Sequence, residues 1–476
     1  MRVDEYITYD GLGLGQLLHR GEVSPRDLLD CAIALAEQVN PKLNALCYAR
    51  FEAARADADK ATLHGAFGAL PFLFKDVGLA STKLPTSVGS RLLAGTKSAI
   101  DSTLATRFLK MGFIPFARTT VPEFGMAPTT EAVQNGGPTR NPWDTTRSSG
   151  GSSGGASVAV ATGIVPIAHG SDGGGSIRIP ASCCGVFGLK ASRGLVPCGP
   201  MRGEGWGGLA VDGVLTRTVR DTAAILDGIA GMEPGAPYAA PPQPASYLQD
   251  LERHFARPLR IIKWRSAWNE IEIAPECQAA TDHAEALLTS LGHEVVERAV
   301  PELEFTKFIE AMVDILTANV KIAVNAVLQA NPGINPRDHL EPAIFDAYMM
   351  GASISAETYA LAISRFHAIG HQLEAYMTGY DYILSPTLTQ LPAKLGYLSM
   401  NDDFKSFRRK VSNYTTFLAV VNASGQPAVN IPLYWTDASL PVGVQLIGHF
   451  GDESGLLRLA ASLEQVAPWR HRHPVI

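Results

Sequence analysis

The spacing of apolar and polar residues divides the first half of the chain into helical and strand-like segments. Apolar residues recur at helical spacing in some segments, whereas short continuous apolar runs, typical of buried strands, occupy others. The predicted helices are Arg26–Gln38, Arg50–His64, Ser102–Met111 and Thr218–Leu226, and the predicted strands are Ala69–Phe74 and Gly112–Ala117. Asn40–Asn44 is expected to break the first helix. This alternation indicates a sheet flanked by helices.

A proline- and alanine-rich connection, Glu233–Tyr247, separates this half from the rest of the chain. Beyond it the predicted strands are Leu259–Trp264, His293–Arg298, Asp381–Ser385, Ala428–Leu433 and Gly443–Gly448, and the predicted helices are Cys277–Leu291, Phe305–Leu328, Ser355–Met377 and Glu453–Gln465. The pattern predicts one large α/β domain with a parallel or mixed twisted sheet. We divide it into residues 1–68, the core 69–232, an α/β and helical segment 233–380, and a returning core segment 381–476.

Composition and charge exclude several classes of protein. Of the 476 residues, 46% are hydrophobic and 18% are charged, and the net charge is −6. Such a chain can bury a large core, and it has no basic run that would indicate a nucleic-acid surface. We expect neither a secretory signal nor a membrane span, which needs about 18 apolar residues. The six cysteines lack zinc-ligand spacing, so we expect a cytoplasmic protein with reduced thiols.

Two clusters of glycine and serine lie within Ser148–Lys190, around Ser152 and Ser176. Isolated clusters of this kind often form linkers, but the intervening Ala156–Ala168 is apolar, as in a buried helix running into a strand. Glycine lets the backbone approach a ligand closely, and successive backbone N–H groups can converge on one anionic oxygen. The clusters are therefore predicted to be two loops that meet in one pocket.

This segment resembles the core of the amidase signature family, serine hydrolases that use a Ser–cis-Ser–Lys triad. The resemblance covers most of the chain, through the ordered blocks PFLFKDVG, PEFG, GGPTRNPWD, RTVRD, SGQPAVNIPL and LPVGVQLIG. It implies the fold of that family, a large twisted mixed sheet sandwiched between helices, with residues 1–68 wrapping the core. It also implies hydrolysis of a carboxylic amide without metal or other cofactor. The chain looks most similar to free-standing bacterial amidases, including nylon-oligomer cyclic-dimer hydrolases and aryl-amide hydrolases.

The resemblance assigns the catalytic roles to three residues. Ser176 corresponds to the nucleophile that forms the acyl-enzyme, Ser152 to the cis-serine that bridges nucleophile and base, and Lys75 to the base. A lysine acts as a base near neutral pH only where burial lowers its pKa. The apolar run Leu70–Phe74 before Lys75 is consistent with such burial.

The resemblance also assigns supporting residues. The oxyanion hole is expected to be lined by the N–H groups of Gly173, Gly174, Gly175 and Ser176. Residues that support the loops are Ser153, Asp172 and Arg178, and residues that line the pocket are Gly125, Met126 and Ala127. Two departures from the family pattern bear on the pocket's shape, namely Arg118-Thr119-Thr120 and Ala191-Ser192.

Other functions stay open at the level of sequence. Gly150–Gly154 satisfies the G-x-S-x-G nucleophile-elbow pattern of esterases, centred on Ser152, but the preceding NPWDTTRSS is not the strand that this motif requires. GGSSGGAS lacks the Gly-Lys-Ser/Thr ending of a phosphate-binding loop. An amidotransferase subunit of the same family would act with partner proteins on charged tRNA, although Arg193–Asp212 departs from its pattern. We interpret His169 as a core or loop histidine.

The substrate is predicted only as a class. Met126, Trp206 and the scarcity of nearby charge favour apolar or aromatic amides, aryl or cyclic. We expect a small-molecule amide as the binding partner, with no nucleic acid and no membrane. The sequence leaves a homodimer open.

Overall fold

Eleven strands form one sheet in the computed structural model, which describes residues 1–475. The strands are β1 Leu46–Cys47, β2 Pro71–Lys75, β3 Ile114–Thr119, β4 Ile167–Asp172, β5 Phe187–Lys190, β6 Val211–Thr216, β7 Arg260–Trp264, β8 Glu294–Arg298, β9 Tyr382–Pro386, β10 Ala428–Trp435 and β11 Pro441–Ile447. Their order across the sheet is β1-β3-β2-β4-β6-β5-β10-β11-β9-β7-β8.

The sheet is mixed. Pairs β2–β3, β2–β4, β7–β8 and β7–β9 are parallel. Pairs β1–β3, β4–β6, β5–β6, β5–β10, β10–β11 and β9–β11 are antiparallel. Every residue of β2, β3, β9 and β11 is buried, so both faces of the sheet are covered there. The fold predicted from the sequence is confirmed.

Helices cover the sheet along most of the chain. They are α1 Val3–Tyr6, α2 Gly11–His19, α3 Pro25–Leu43, α4 Phe51–Asp59, α5 Thr103–Lys110, α6 Gly154–Ala161, α7 Arg178–Cys184, α8 Val219–Ile229, α9 Tyr247–Asp250, α10 Pro275–Ser290, α11 Phe305–Ala330, α12 Pro336–His339, α13 Pro342–Met350, α14 Ala356–Tyr376, α15 Phe404–Tyr414, α16 Ala419–Ser424 and α17 Glu453–Val466.

Two helix ends differ most from the prediction, each by five residues. The first helix, α3, does not break at Asn40 but continues through Pro41, and it ends where Asn44 adopts a left-handed conformation. The Asn40 side chain accepts the N–H groups of the two residues that follow Asn44, which stabilises this end. Helix α4 ends at Asp59, five residues before the predicted end, because residues 62–66 are exposed and have no core to pack against.

All four predicted parts of the chain contribute to the same sheet. The segment 1–68 supplies the edge strand β1, and β7 and β8 from segment 233–380 pair with β9 of the returning core. The two core segments join where β5 pairs with β10. Residues distant in sequence are thereby brought to the centre of the molecule.

Helix α11 is the one helix of residues 1–475 that is long and apolar enough, by length and composition alone, to cross a membrane. One apolar face of the helix, which includes Phe308, Ile315 and Val324, is buried, whereas Ile322 is exposed. The helix packs against α13 and α14, and this packing accounts for its composition.

Candidate active site

Lys75 is the last residue of β2, and its side chain is fully buried. The ammonium nitrogen Nζ donates to Ser152 Oγ at 2.8 Å, to Ser171 Oγ at 2.9 Å and to the Ser171 carbonyl at 3.2 Å. Burial lowers the pKa of Lys75 to about 7, although the carboxylates of Asp212 and Asp172 oppose this lowering. A substantial fraction of Lys75 is therefore neutral, and able to accept a proton, near pH 7.

Ser152 lies in the first glycine–serine loop, immediately before α6. The Gly151–Ser152 peptide bond is cis. The neighbouring Ser153 joins the two loops, because its N–H donates to the Ser176 carbonyl at 3.3 Å and its Oγ donates to the Ser171 carbonyl at 3.3 Å. No strand precedes this loop between residues 141 and 149, so the segment lacks the strand-to-helix turn of a nucleophile elbow.

The second loop connects β4 to α7 and carries Ser176. Asp172, at the end of β4, accepts the N–H groups of Gly175 at 2.7 Å and Ile177 at 3.2 Å. Gly175 has a φ of +120°, in the region that favours glycine. These bonds fix the turn on either side of Ser176, whose side chain reaches the surface of a cavity.

A buried ion pair anchors this loop to the returning core segment. Arg178 donates to both carboxylate oxygens of Asp172 at 2.9 Å, and it also donates to Asn422 Oδ1 and Gln445 Oε1, each at 2.6 Å. Although burial disfavours the ionised carboxyl, Arg178 and the Asn422 amide hold the pKa of Asp172 below its usual range. Asp172 and Arg178 thus support the loop that presents Ser176.

One of the four N–H groups predicted to line the oxyanion hole is not available to a ligand. The N–H of Gly175 donates to Asp172, so it is committed to the loop and not to a ligand. Within residues 1–475, the N–H groups of Gly173, Gly174 and Ser176 donate to no protein acceptor. These three groups remain free to bind an oxygen.

Two cavities flank Ser176. The larger one, of about 440 Å³, is also lined by Ser152, Ser171, Trp206 and Asn319. The smaller one, of about 40 Å³, is lined by Ser176 and Gly174 and by the loop residues Gly125, Met126 and Ala127. The residues to which the family resemblance assigned a role therefore lie at Ser176 itself or in the loops around it, whereas Arg118-Thr119-Thr120 and Ala191-Ser192 line neither cavity.

Some residues around the site were not identified from the sequence. Ser171 contacts Lys75 directly, and Asp212 interacts with both His169 Nε2, at 3.2 Å, and the Arg202 guanidinium, at 2.9 Å. The His169 ring accepts the Lys75 backbone N–H through Nδ1 at 3.2 Å, and burial lowers its pKa. His169 is thus a buried core histidine that supports the Lys75 backbone.

Asn422 and Gln445, which bind Arg178, lie in or beside two blocks that carry the family resemblance. That position was the only signal in the sequence that could have identified them. Across residues 1–475 there is no group of three or more His, Cys, Asp or Glu side chains that could hold a metal ion.

Comparison with known proteins gives matches over nearly the whole chain. The sequence model of the family described as Amidase matches residues 27–457. The chain is 32% identical over 480 residues to a 6-aminohexanoate-cyclic-dimer hydrolase of Paenarthrobacter ureafaciens, and the alignment covers 98% of this chain and 96% of that protein. A solved structure of 6-aminohexanoate cyclic dimer hydrolase superimposes with a TM-score of 0.92 at 31% identity, covering 98% of this chain and 99% of the other. A bacterial aryl acylamidase of the amidase signature family superimposes with a TM-score of 0.87 at 25% identity, covering 97% and 96%.

Proposed function

Because this chain belongs to the amidase family and is an amide hydrolase, we propose that it cleaves small carboxylic amides through an acyl-enzyme on Ser176, with Ser152 and Lys75 as the proton relay. One observation carries the proposal: the fully buried Lys75 contacts Ser152 Oγ at 2.8 Å, and Ser152 and Ser176 line the same cavity. A serine hydroxyl is a weak nucleophile until a neighbouring base takes its proton. The buried amine is such a base.

The acylation step follows from these positions. Neutral Lys75 takes the proton of Ser152 Oγ, which takes that of Ser176, while Ser176 Oγ attacks the amide carbonyl carbon. The developing oxyanion accepts the free N–H groups of Gly173, Gly174 and Ser176. The proton then returns through Ser152 to the amine nitrogen, the C–N bond breaks, and the amine leaves. Water, activated by the same relay, hydrolyses the ester and releases the acid.

The relatives support small amides as the substrate class. The named relatives act on 6-aminohexanoate cyclic dimer or belong to the aryl acylamidases. We propose that this chain likewise acts alone on a small linear or cyclic amide in the cytoplasm. The amidotransferase alternative requires partner proteins and charged tRNA, and it predicts that the isolated chain is inactive on simple amides.

The nucleophile can be identified by covalent labelling. A serine-directed fluorophosphonate should modify the wild type at Ser176, and Ser176→Ala should lose both labelling and amide hydrolysis while its circular dichroism is unchanged. Ser157→Ala is the matched control, because this buried serine of α6 donates to the Pro180 carbonyl of α7 and lines neither cavity. Labelling at Ser152 that persists in Ser176→Ala would instead support the nucleophile-elbow function.

A further inference from the structure

Helix α15 carries a charged residue on its buried face. Its buried side chains are Phe404, Phe407, Arg408, Val411 and Tyr414, which recur at helical spacing. The exposed face carries the other cations, among them Lys405 and Arg409. Arg408 is only 7% exposed, and it is the only charged member of this stripe.

The Arg408 guanidinium has no partner within residues 1–475. It forms no ion pair and no hydrogen bond, and its Nε atom is buried without an acceptor. Burial lowers the pKa of Arg408 to about 10, and no carboxylate opposes that effect. A buried cation without a counter-ion is destabilising, so no contact within the described residues accounts for a charge at this position.

Arg408 and Ser176 line the same small cavity. This cavity, of about 40 Å³, is also lined by apolar side chains such as Met312 and Leu316. Thr416 lines the same cavity, and its Oγ1 is a second buried polar atom without a partner. Arg408 and Thr416, which both line this largely apolar cavity beside Ser176, thus each have a buried polar atom without a hydrogen-bond partner.

An outer cavity of about 540 Å³ continues from this space. The residues that line both cavities are Phe305, Ile309, Arg408 and Ser412. Acidic residues of the outer cavity, Glu310 and Asp314, form no ion pair with Arg408. The guanidinium therefore lies at the junction of the two spaces, available to an anion that arrives from Ser176.

The proposed proton relay places the small cavity on the acyl side of the scissile bond. The departing amine must receive its proton from Ser152, and Ser152 lines the larger cavity but not the smaller one. The amine therefore leaves through the larger cavity. The acyl chain, which stays bonded to Ser176, extends into the smaller cavity towards Arg408.

We propose that Arg408 binds a carboxylate at the far end of the acyl group, so that the substrates are monoamides of short dicarboxylic acids. The guanidinium fork matches a carboxylate bidentately, and Thr416 Oγ1 can donate to the same group. Hydrolysis breaks the C–N bond and gives the dicarboxylate and the amine. The proposal rests on the function proposed for Ser176, and it differs from the sequence-based expectation that scarce charge near the pocket favours apolar or aromatic amides.

Paired substrates test the proposal. Mono-p-nitroanilides of malonic, succinic, glutaric and adipic acid are compared with their methyl esters, which have the same chain without the charge. The measured quantity is the ratio of kcat/KM for acid over ester. A hydrogen-bonded ion pair contributes a factor on the order of 10 to 100, so the wild type should prefer one or more of the acids by at least about tenfold.

Variants of Arg408 and Thr416 test whether the preference for the acid substrates depends on these two residues. Arg408→Met should lower the acid-over-ester ratio by roughly 10- to 100-fold, Arg408→Lys should lower it less, and Thr416→Val should lower it slightly. Lys410→Met is the matched control, because it removes a positive charge from the same helix, and Lys410 pairs with Asp402 and lines neither cavity. The Lys410→Met ratio should equal that of the wild type.

Binding gives a readout that is independent of catalysis. The dicarboxylate products, from malonate to adipate, should raise the Tm of Ser176→Ala, and the double variant Ser176→Ala/Arg408→Met should lose this shift. A wild type that prefers the esters, or Arg408→Met with an unchanged ratio, would overturn the proposal while leaving Ser176 hydrolysis intact. If no anilide is cleaved and Ser176 is not labelled, the proposed function fails. The Tm shift caused by the dicarboxylates then still decides whether Arg408 binds a carboxylate.

Discussion

Two buried lysines show how contacts decide what a residue does. Burial lowers the pKa of both Lys75 and Lys190 to about 7. Lys190 Nζ donates only to the backbone carbonyls of Ala191, at 2.8 Å, and Gln426, at 2.7 Å. Lys75 instead contacts the hydroxyls of Ser152 and Ser171. A lowered pKa makes both lysines able to accept a proton near pH 7. Only Lys75 has neighbouring hydroxyl groups that can supply that proton.

The pH dependence of the reaction should follow Lys75. Below its pKa the ammonium is protonated and cannot act as a base, so kcat/KM should rise with pH through about 7 and reach a plateau above it. Lys75→Ala should lower kcat/KM roughly 10²- to 10⁴-fold. Ser152→Ala should lower it somewhat less, and the double variant should be little worse than Lys75→Ala because the relay acts as a unit. The measurement is kcat/KM on a neutral anilide between about pH 5 and pH 9, a range that brackets this pKa.

The second buried lysine supplies the control. Lys190→Met removes a lysine with a similarly lowered pKa, but it should leave the acid limb of the profile where it is. An acid limb that moves in Lys190→Met, or near-normal activity of Lys75→Ala with the wild-type profile, would contradict the role of Lys75 as the base. His169, which binds the Lys75 backbone N–H, would then be tested.

Connections between elements decide where the side chains of the candidate site lie. The turn from α5 into β3 is made at Gly112, with a φ of +93°. A Cβ atom there would lie 1.8 Å from the Gly68 carbonyl oxygen. Because β3 pairs with β2 along its length, up to Lys75, this close backbone approach helps to set the position of Lys75.

Gly112→Ala should strongly destabilise the fold. The free energy of unfolding, measured by urea denaturation, should fall by about 3 kcal/mol or more, because a strained φ and a backbone clash add together. Gly95→Ala is the matched control: its φ is +73°, but no atom lies within 4 Å of the added Cβ. That variant should lose only about 1–2 kcal/mol. Equal losses in the two variants would show that the close approach to Gly68 contributes nothing.

At the scale of the whole molecule, the sequence predicts local elements and ordered motifs better than contacts between distant segments. Lys75, Ser152 and Ser176 could be selected because each lies in a block that carries the family resemblance. Helix α15 was missed, because six of its eleven residues are polar or charged residues outside its buried stripe. The cavity beside Ser176 could not be predicted either, since Arg408 is 232 positions away in sequence and reaches it only through the packing of the returning core segment.

The whole chain should also be sufficient for the reaction. The proposed nucleophile, base and oxyanion donors are all residues of this one chain, and residues 1–475 hold no cluster with metal-ligand composition. A serine hydrolase needs no further chemical group for acyl transfer. Purified protein should therefore hydrolyse simple anilides at an undiminished rate after incubation with EDTA, and without ATP, tRNA or any partner protein.

The controls decide between this expectation and its alternatives. A zinc-dependent amidohydrolase treated in parallel should lose activity with EDTA, which verifies that chelation was complete. Loss of activity that added zinc or manganese restores would contradict the metal-free mechanism. Activity that appears only when partner proteins and charged tRNA are present would point to the amidotransferase function, because a free-standing hydrolase transfers its acyl group to water and needs no second protein to receive the amine.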